Sequence, residues 1–339
     1  MSGEAGAADG PIPHGGDLAA ARALFPDAPG PWVDLSTGIN PHPYPLPPFP
    51  ASALARLPSP EDLAALRAIA ANVYTAPGAS HVAAAPGTQI LIETVPRLYT
   101  PRRVAVVGPT YAEHAAAWRR AGHCVATVPD LAAAEAAGAE MIVAVSPNNP
   151  DGRVLAAAEI LECSQRLGAR GGLLVLDRAF ADLEPDPGPE PRLGPGLAVL
   201  RSFGKTYGLA GLRLGFLLAD PPFVARVAAA LGPWAVSGPA LFAGRTALPD
   251  TAWLRAAAEA RRRDAARLDR MIRRADGRVV GGTALFRTAD FTDGAGWFHR
   301  LGEAGVFVRR FPEAPARLRF GLPPDKGAWC RLSRVLRPG

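Results

Sequence analysis

Short apolar runs alternate with helix-like segments between residues 59 and 220, and this alternation limits the fold more than any other feature of the sequence. The predicted strands are VAVVG at 104–108, CVATV at 124–128, MIVAVS at 141–146, GLLVLD at 172–177, LAVLRSF at 197–203 and LRLGFLLAD at 212–220. Strands that alternate with helices favour a parallel sheet covered by helices, because each connection must cross back over the sheet. The sequence therefore predicts an α/β fold, with a large domain whose mostly parallel central sheet is flanked by helices.

The pattern changes near residue 245. Prolines and glycines around 233–250 precede a long helix rich in Arg and Ala, and short predicted strands follow it at 277–280, 283–289, 306–311 and 316–321. This pattern predicts a smaller C-terminal α+β domain over 245–339 beside a large domain over 51–244. Residues 1–50 are rich in proline and lack periodic hydrophobicity, so they are expected to form an N-terminal arm without a packed element.

The chain is basic, with 37 Lys and Arg against 31 Asp and Glu and a formal net charge of +6. Clustered basic residues can bind the phosphates of nucleic acid. The densest arginine run, 255–278, is interleaved with Ala, Asp and Glu at helical spacing, which is typical of a solvated helix face. We therefore expect no nucleic-acid partner.

Cysteine usage and hydropathy exclude several other classes. Cys124, Cys163 and Cys330 are an odd number without a CxxC pair, so neither a disulfide framework nor a metal site is expected, and a reducing cytoplasm fits best. The first residues lack the basic and apolar regions of a signal peptide. The longest apolar stretch, 223–242, contains an arginine and two prolines, so no membrane-spanning helix is expected.

Lysine is rare in this sequence. Lys205 and Lys326 are the only two, and the other 35 basic residues are arginine. A lysine in such a chain can mark a primary amine that arginine cannot replace. Lys205 follows a predicted strand in SFGKTYGLAGLRLG, where a desolvated lysine can lose its proton and form an imine, and where Ser202 and Arg213 can hold a phosphate. The alternative, a surface lysine in a loop, is weakened by the scarcity of lysine.

Other loops after predicted strands carry polar or aromatic residues, and ligands of α/β sheets collect there. Asp177 ends GLLVLD and needs a cationic partner, unless it caps a helix or loop. Asn149 precedes a proline in SPNNPDG, where it could sit at a cis peptide bond or simply belong to a turn. Gly87 and Thr88 open a predicted helix whose amides could cradle an anion. Tyr111 fits a core position as well as a stacking platform.

Taken together, these loops offer an imine-forming lysine, a carboxylate for a ring nitrogen, a phosphate cradle and an aromatic face, the parts that pyridoxal 5′-phosphate requires. On these segments the chain resembles the fold-type I pyridoxal-phosphate enzymes of the aspartate aminotransferase superfamily, over most of its length and in the family's order. HGGDL at 14–18, DLSTGINP at 34–41 and LRFGLP at 318–323 are similar to the histidinol-phosphate aminotransferases and, more closely, to the threonine-phosphate decarboxylases of cobalamin biosynthesis.

The resemblance implies cofactor roles for eight residues. Lys205 would bind the cofactor covalently, and Asp177 would pair with its ring N–H; these two would be the catalytic residues. Asn149 would contact the ring oxygen O3′, and Tyr111 would stack on the ring. The phosphate would be held by Gly87, Thr88, Ser202 and Arg213.

The resemblance also implies a substrate side to the site. Arg319 in ARLRFG would bind the substrate carboxylate, with Arg317 as a neighbouring competitor. Arg309 matches the place where related enzymes hold a substrate phosphate, and an exposed strand arginine is the alternative. The remaining substrate-binding residues implied by the matching motifs are His14, Gly38 and Asn40.

Three positions depart from the family pattern. Phe180 stands where the family often has a tyrosine, so a hydroxyl contact to O3′ is missing and Asn149 is left to make it. Leu57 stands where a family tyrosine reaches a phosphate across a dimer interface, which puts that contact in doubt. Arg178 replaces an acidic residue, and the sequence offers no physical reason for it.

The activity that the resemblance implies is pyridoxal-phosphate-dependent decarboxylation of a small phosphorylated amino acid, L-threonine O-3-phosphate, to (R)-1-amino-2-propanol O-2-phosphate by a cytoplasmic homodimer. A histidinol-phosphate-type aminotransferase would use the same residues. A cofactor-binding protein without catalysis is the third possibility, and the full set of catalytic groups speaks against it. The orientation of the substrate carboxylate decides between the first two.

Overall fold

The computed structural model describes residues 14–185 and 192–337 of the chain. The strands of this part are β1 (Val33–Leu35), β2 (Val82–Ala85), β3 (Arg103–Val107), β4 (Cys124–Val128), β5 (Met141–Val145), β6 (Leu173–Asp177), β7 (Leu197–Ser202), β8 (Gly215–Leu218), β9 (Arg278–Thr283), β10 (Phe286–Asp290), β11 (Val306–Arg310) and β12 (Arg317–Gly321). They form a seven-stranded sheet and a five-stranded sheet.

The larger sheet has the strand order β2-β8-β7-β6-β5-β3-β4. β8 runs antiparallel to both of its neighbours, and the remaining pairs are parallel. Every residue of β5, β6 and β7 is buried, as their continuous apolar runs predict for strands covered on both faces. The predicted α/β fold with a mostly parallel sheet is confirmed.

Helices cover both faces of this sheet and pack on the smaller one. Their bounds are α1 (Leu18–Leu24), α2 (Ala51–Ala55), α3 (Pro60–Val73), α4 (Thr88–Arg97), α5 (Glu113–Arg120), α6 (Leu131–Ala136), α7 (Ala157–Ala169), α8 (Phe203–Thr206), α9 (Pro221–Leu231), α10 (Gly238–Ala247), α11 (Thr251–Arg274), α12 (Gly294–Glu303) and α13 (Lys326–Val335). Short 3-10 turns lie at 79–81 and 210–212. No helix of the described ranges is both long enough and apolar enough to cross a bilayer.

Local sequence explains where the helices begin. Ser59 caps α3, because its side chain accepts a hydrogen bond from Asp62 N at 3.0 Å and Pro60 occupies the first helical position. The core follows the two-residue period of the strands. In β3, Val104 and Val106 face one apolar layer, whereas Ala105 and Val107 face the layer on the opposite side of the sheet.

The smaller sheet has the order β1-β11-β12-β10-β9. β1 pairs parallel with β11, and the other pairs are antiparallel. The expectation that residues 1–50 hold no packed element is therefore wrong for the described part of this segment, 14–50. Leu35 of β1 is fully buried, and α1 precedes it with Asp17 as a cap. A strand of three residues is too short to show a hydrophobic period. Its pairing partner, β11, lies far away in sequence, so no neighbouring pattern indicated the strand either.

The two sheets meet through a close backbone contact. A Cβ atom on Gly281 would lie 1.9 Å from the carbonyl oxygen of Asp151, and one on Gly152 would lie 2.0 Å from that of Gly282, so only glycine fits at these positions. The hydroxyl of Thr288 also donates to the Pro150 carbonyl at 2.5 Å. This contact places the loop after β5 against β9 and β10.

Candidate active site

A cavity of about 570 Å³ lies where β5, β6 and β7 end and is closed on its other side by residues of β11 and β12. Of the predicted site residues, the following line it: His14, Gly38, Gly87, Thr88, Tyr111, Asn149, Asp177, Ser202, Lys205, Arg213, Arg309 and Arg319. The fold brings them together because the carboxyl ends of parallel strands share one edge of the sheet. Asn40 does not line this cavity.

Asp177 is the last residue of β6 and has a histidine as its partner. The Nε2–H of His114 donates to its Oδ2 at 3.0 Å, and the main-chain N–H of Ala179 donates to Oδ1 at 2.9 Å. Burial raises the pKa of the Asp177 carboxyl, but the His114 hydrogen bond and the positive charge of Lys205 outweigh it and hold that pKa below its usual value. Asp177 is therefore an anion inside the cavity.

Lys205 reaches the cavity from α8, the single helical turn that follows β7. Burial lowers the pKa of its amine, the charges of Arg319 and Arg213 lower it further, and Asp177 acts in the opposite direction. The ring of Phe180 lies 5.3 Å from Nζ. An amine with a lowered pKa is a better nucleophile at neutral pH, since more of it lacks the proton.

The N-terminus of α4 forms one end of the cavity. Its cap, Gly87, has φ of +84° and no side chain, so the first amides of the helix, beginning at Thr88, can bind an anion. A Cβ atom on Gly87 would lie 2.6 Å from Arg213 Nη2, so the glycine lets this guanidinium approach the helix end. Ser202, the last residue of β7, lines the same cavity. These groups make an anion cradle.

Tyr111 is fixed by its hydroxyl, which donates to Gln89 Oε1 at 3.1 Å. Burial, with help from the charges of Glu113 and Asp177, raises its pKa to about 12, so the phenol stays neutral. Its ring meets the His114 ring edge-on, at 6.0 Å between centroids and 89° between planes. Its ring therefore forms an aromatic wall next to the Asp177 carboxylate.

Asn149 and Arg319 are joined across the two sheets. Arg319 Nη1 donates to Asn149 Oδ1, and Nη2 donates to the Ser36 carbonyl at 2.8 Å. Burial lowers the pKa of Arg319 to about 10, with a further contribution from Arg309, so the side chain still carries its charge at neutral pH. The Asn149–Pro150 peptide bond is cis.

Arg309 is the direct neighbour of Arg319 across the β11–β12 pair. Like charges at opposed positions of two strands repel each other, so an anion between these arginines would be stabilised. Arg317, two residues before Arg319, also lines the cavity, and its Nε donates to Asp290 Oδ1 at 2.7 Å. Arg317 is thus paired with a carboxylate, whereas Arg319 bonds neutral groups, Asn149 Oδ1 and the Ser36 carbonyl.

His14 lies at the cavity on the chain segment before α1. Its Nε2 is 2.9 Å from Glu113 Oε1. Gly38 also lines the cavity, and a Cβ atom on it would lie 3.0 Å from the Phe180 and Phe286 rings. A side chain at position 38 would fill the space above Phe180.

Asn40 is buried at 1% exposure outside the cavity. Its Nδ2 donates to the Thr206 carbonyl at 2.9 Å, and its Oδ1 accepts from Arg261 Nη1 at 3.1 Å. The amide is thus engaged within the protein. The predicted contact of Asn40 with the substrate has no counterpart in this geometry.

Sequence reasoning missed His114, Gln89 and Glu113. His114 and Glu113 lie in the first turn of α5, just after Tyr111, and Glu113 bonds His14 and Arg120. The one available signal was the requirement that Asp177 have a cationic partner. A histidine 63 positions earlier could be recognised as that partner only once the sheet order was known.

Residues 51–326 match the family model for aminotransferase class I and II. The chain belongs to this family. Among curated members, it is 44% identical over 331 residues to a threonine-phosphate decarboxylase of Sinorhizobium sp, covering 96% of this chain and 98% of that one. It is 41% identical over 327 residues to the threonine-phosphate decarboxylase of Pseudomonas aeruginosa, covering 96% and 97% of the two chains.

A solved aminotransferase has the same fold. The histidinol-phosphate aminotransferase of Sinorhizobium meliloti in complex with pyridoxal-5′-phosphate superposes with a TM-score of 0.79 at 20% identity, over 94% of this chain and 93% of that one. The seven-stranded sheet, the smaller sheet and the cavity between them are thus parts of an aminotransferase-family architecture.

The cavity of this family member fits pyridoxal phosphate. The fit rests on the Gly87 cradle, which a Cβ atom would fill, beside Arg213 and an uncapped helix end that suit a dianionic phosphate. The ionised Asp177 would suit a pyridine N–H, and the Lys205 amine lies in the same cavity. Phe180 provides no hydroxyl, and Asn149, which lines the same cavity, would be the polar side chain for the ring oxygen.

Arg178 and Leu57, two of the positions that depart from the family pattern, differ in exposure. Arg178 is 1% exposed, and its main-chain N–H donates to the Leu200 carbonyl at 2.9 Å, so its place is inside the large sheet. Leu57 is 69% exposed, just after α2.

Proposed function

We propose that this protein decarboxylates L-threonine O-3-phosphate to (R)-1-amino-2-propanol O-2-phosphate, using pyridoxal phosphate, as a step of cobalamin biosynthesis. The observation that carries the proposal is the pair of opposed arginines, Arg309 and Arg319, in the same cavity as Lys205. The substrate has two anionic groups, a carboxylate and a phosphate, and each arginine can take one. The near full-length similarity to threonine-phosphate decarboxylases supports this choice.

Pyridoxal phosphate, when bound, withdraws electrons from the bonds of the substrate α-carbon, which lets the carboxylate leave as carbon dioxide. Lys205 would hold it covalently, and Gly87, Thr88, Ser202 and Arg213 would bind its phosphate. Asp177 would keep its ring nitrogen protonated, because an adjacent negative charge raises the pKa of that nitrogen.

The protein groups also handle the proton that replaces the carboxylate. The Lys205 Nζ can deliver a proton to the α-carbon, because the amine lies within the cavity and its lowered pKa makes it a ready proton carrier near neutral pH. Tyr111 and Phe180 line the cavity and give part of its wall an apolar surface.

Arg319 and Arg309 position the substrate in this proposal. Arg319 is held rigidly by Asn149 and the Ser36 carbonyl, so its remaining donors have a fixed direction. Arg309 is half-buried, and burial lowers its pKa while Glu313 acts in the opposite direction. A phosphate on the substrate side chain would contact Arg309 and the neighbouring Tyr111 edge of the cavity.

A direct test compares two reactions of the purified holoenzyme. L-threonine O-3-phosphate alone should release carbon dioxide, whereas histidinol phosphate with 2-oxoglutarate should form little glutamate. Unphosphorylated L-threonine is the control for the phosphate contact and should react far more slowly. Efficient amino transfer from histidinol phosphate without carbon dioxide release would overturn the proposal.

Several large apolar side chains of the described residues are exposed to solvent. We propose a cytoplasmic homodimer, in which the exposed apolar side chains Leu54, Leu57 and Trp234 contribute to the contact between copies; their exposed fractions are 74%, 69% and 58%. Leu54 belongs to α2, which packs against α10 at Gly238. Sedimentation of the wild type and of a Leu54→Glu, Leu57→Glu double variant tests this, since the variant should be monomeric.

A further inference from the structure

The helix that carries Lys205 is too short to hold its own position. α8 consists of four residues, Phe203–Thr206, and a single turn provides few internal hydrogen bonds for the residues that it orders. The last carbonyls of a helix have no partner within the helix. In α8 these belong to Lys205, Thr206 and the following Tyr207.

A segment far away in sequence supplies these partners. The main-chain N–H of Asn40 donates to the Lys205 carbonyl at 2.9 Å, and its side-chain Nδ2 donates to the Thr206 carbonyl at 2.9 Å. The N–H of Tyr44 continues the pattern to the Tyr207 carbonyl at 2.8 Å. Asn40 therefore clamps the main chain of the lysine and of its neighbour.

The close approach of the two segments is built into the sequence. Gly208 has φ of +66°, and a Cβ atom on it would lie 2.7 Å from the Asn40 carbonyl and 2.8 Å from Pro43 Cα. Any side chain at position 208 would push the 40–44 segment away from the helix end. The contact between the 40–44 segment and the end of α8 therefore depends on glycine at position 208.

The amide of Asn40 is oriented by an arginine of α11. Its Oδ1 accepts from Arg261 Nη1 and from the main-chain N–H of His42, each at 3.1 Å, and Arg261 is held by Asp264 at 2.8 Å. Asn40 is 1% exposed and Arg261 is 6% exposed, so water does not compete for these bonds. An amide that must accept on one side and donate on the other has one orientation.

We propose that Asn40, oriented by Arg261, is a positioning residue that fixes the main chain of Lys205 and Thr206 and thereby sets where the lysine amine lies in the cavity. Asn40 touches neither the cavity nor the reacting atoms and acts through α8. The proposal rests on the proposed function only in naming Lys205 as the reacting amine. The motif DLSTGINP implied that Asn40 contacts the substrate, whereas this proposal assigns it a contact with the helix that carries Lys205.

The decisive variant is Asn40→Asp. Aspartate keeps the acceptor for Arg261 but places a second acceptor against the Thr206 carbonyl, so the clamp opens. The chain should still fold, because Thr206 Oγ1 remains bonded to Asp182 Oδ2 at 3.1 Å. Arg261→Met is the second variant, which leaves Asn40 intact but removes one of the two donors to its Oδ1, so that only the His42 N–H remains. Asn72→Asp and Arg263→Met, both at exposed positions, are the matched controls.

The two lysines allow a readout that needs neither cofactor nor substrate. Peptide mapping after brief treatment of the cofactor-free protein with an acylating reagent gives the labelling ratio of Lys205 to the exposed Lys326. Asn40→Asp and Arg261→Met should each change this ratio at least about threefold. A displaced Lys205 amine differs in burial and in its charged neighbours, and both affect how fast it is acylated. Hydrogen exchange of the Tyr207 and Leu209 amides should accelerate about tenfold while α3 stays unchanged.

In the loaded enzyme, both variants should lower kcat about 10-fold to 100-fold with a much smaller change in KM, because a misplaced reacting group costs rate more than binding. The controls should behave as the wild type. A lower melting temperature with a wild-type labelling ratio and wild-type exchange at 207–209 would overturn the proposal, since it would show a purely structural role. Failure of the wild type to release carbon dioxide would refute the proposed function and leave the labelling test intact.

Discussion

The Nε2–H of His114 donates to the Asp177 carboxylate over 3.0 Å, and both side chains are buried. A carboxylate in such a place would normally gain a proton, because burial penalises its charge. The hydrogen bond reverses this and lowers the pKa of Asp177. The negative charge of Asp177 is thus maintained by His114, a residue that the sequence analysis did not name.

Replacing His114 should weaken that charge. In His114→Phe the pKa of Asp177 should rise, because burial then acts with less opposition, so the acidic limb of the kcat/KM profile should move to higher pH. The rate at neutral pH should fall about tenfold or more. His299→Phe, a change at an exposed histidine, is the control and should leave the profile unchanged. An unmoved acidic limb in His114→Phe would show that Asp177 does not depend on this bond.

Removing the carboxylate itself should affect turnover more than cofactor binding. Asp177→Asn keeps the shape of the side chain but not its charge, so kcat should fall about 100-fold or more, a typical loss for one preorganised electrostatic contact. Cofactor content, measured by absorbance after gel filtration, should stay near that of the wild type. Loss of the cofactor with full activity in the remaining fraction would contradict this role.

Arg319 should determine substrate affinity through its geometry. Arg319→Lys retains a charge but loses the planar fork, so KM should rise about 10-fold to 100-fold, the equivalent of one charge-assisted hydrogen bond. Arg317→Lys on the same strand is the control, because Arg317 pairs with Asp290. Equal KM increases in both variants would show that the strand, and not Arg319, is responsible.

Gly87 should be required for the anion cradle. In Gly87→Ala the new methyl would lie 2.6 Å from Arg213 Nη2 at a residue with φ of +84°, so the cofactor Kd should rise about tenfold. Gly211→Ala, where a Cβ meets nothing within 4 Å, is the matched control. Reconstitution of the cofactor-free variants with increasing pyridoxal phosphate gives both constants, and identical values would remove Gly87 from the cradle.

Borohydride reduction of the holoenzyme should attach a pyridoxyl group to one lysine. Peptide mapping should find it on Lys205, which lines the cavity, and not on Lys326, which is exposed at the start of α13. The choice between only two lysines makes the result unambiguous. A modified Lys326 would refute the assignment of the reacting amine.

The sequence predicted the large sheet and most of the cavity, because apolar strands are continuous in sequence and their last residues meet at one sheet edge. Asp177, Lys205 and Arg213 could each be named from a local pattern. β1 could not be foreseen, since its pairing with β11 joins residues about 270 positions apart. A strand of three residues is also too short to show a hydrophobic period of its own.

The partners of the named residues were likewise beyond the sequence. His114 meets Asp177, and Arg261 meets Asn40, only after the chain has folded. Asn40 shows the consequence most clearly, because a motif match suggested the substrate while its hydrogen bonds go to the lysine-bearing helix. A motif places a residue near a site, but its contacts decide what it does there.

The proposed reaction releases the carboxylate of the substrate as carbon dioxide. The holoenzyme should be given L-threonine O-3-phosphate labelled with ¹³C in its carboxyl group, without any keto acid, and the products followed by NMR. One labelled carbon dioxide is expected for each 1-amino-2-propanol O-2-phosphate formed. A label retained in an organic acid, together with glutamate formation when 2-oxoglutarate is added, would contradict it.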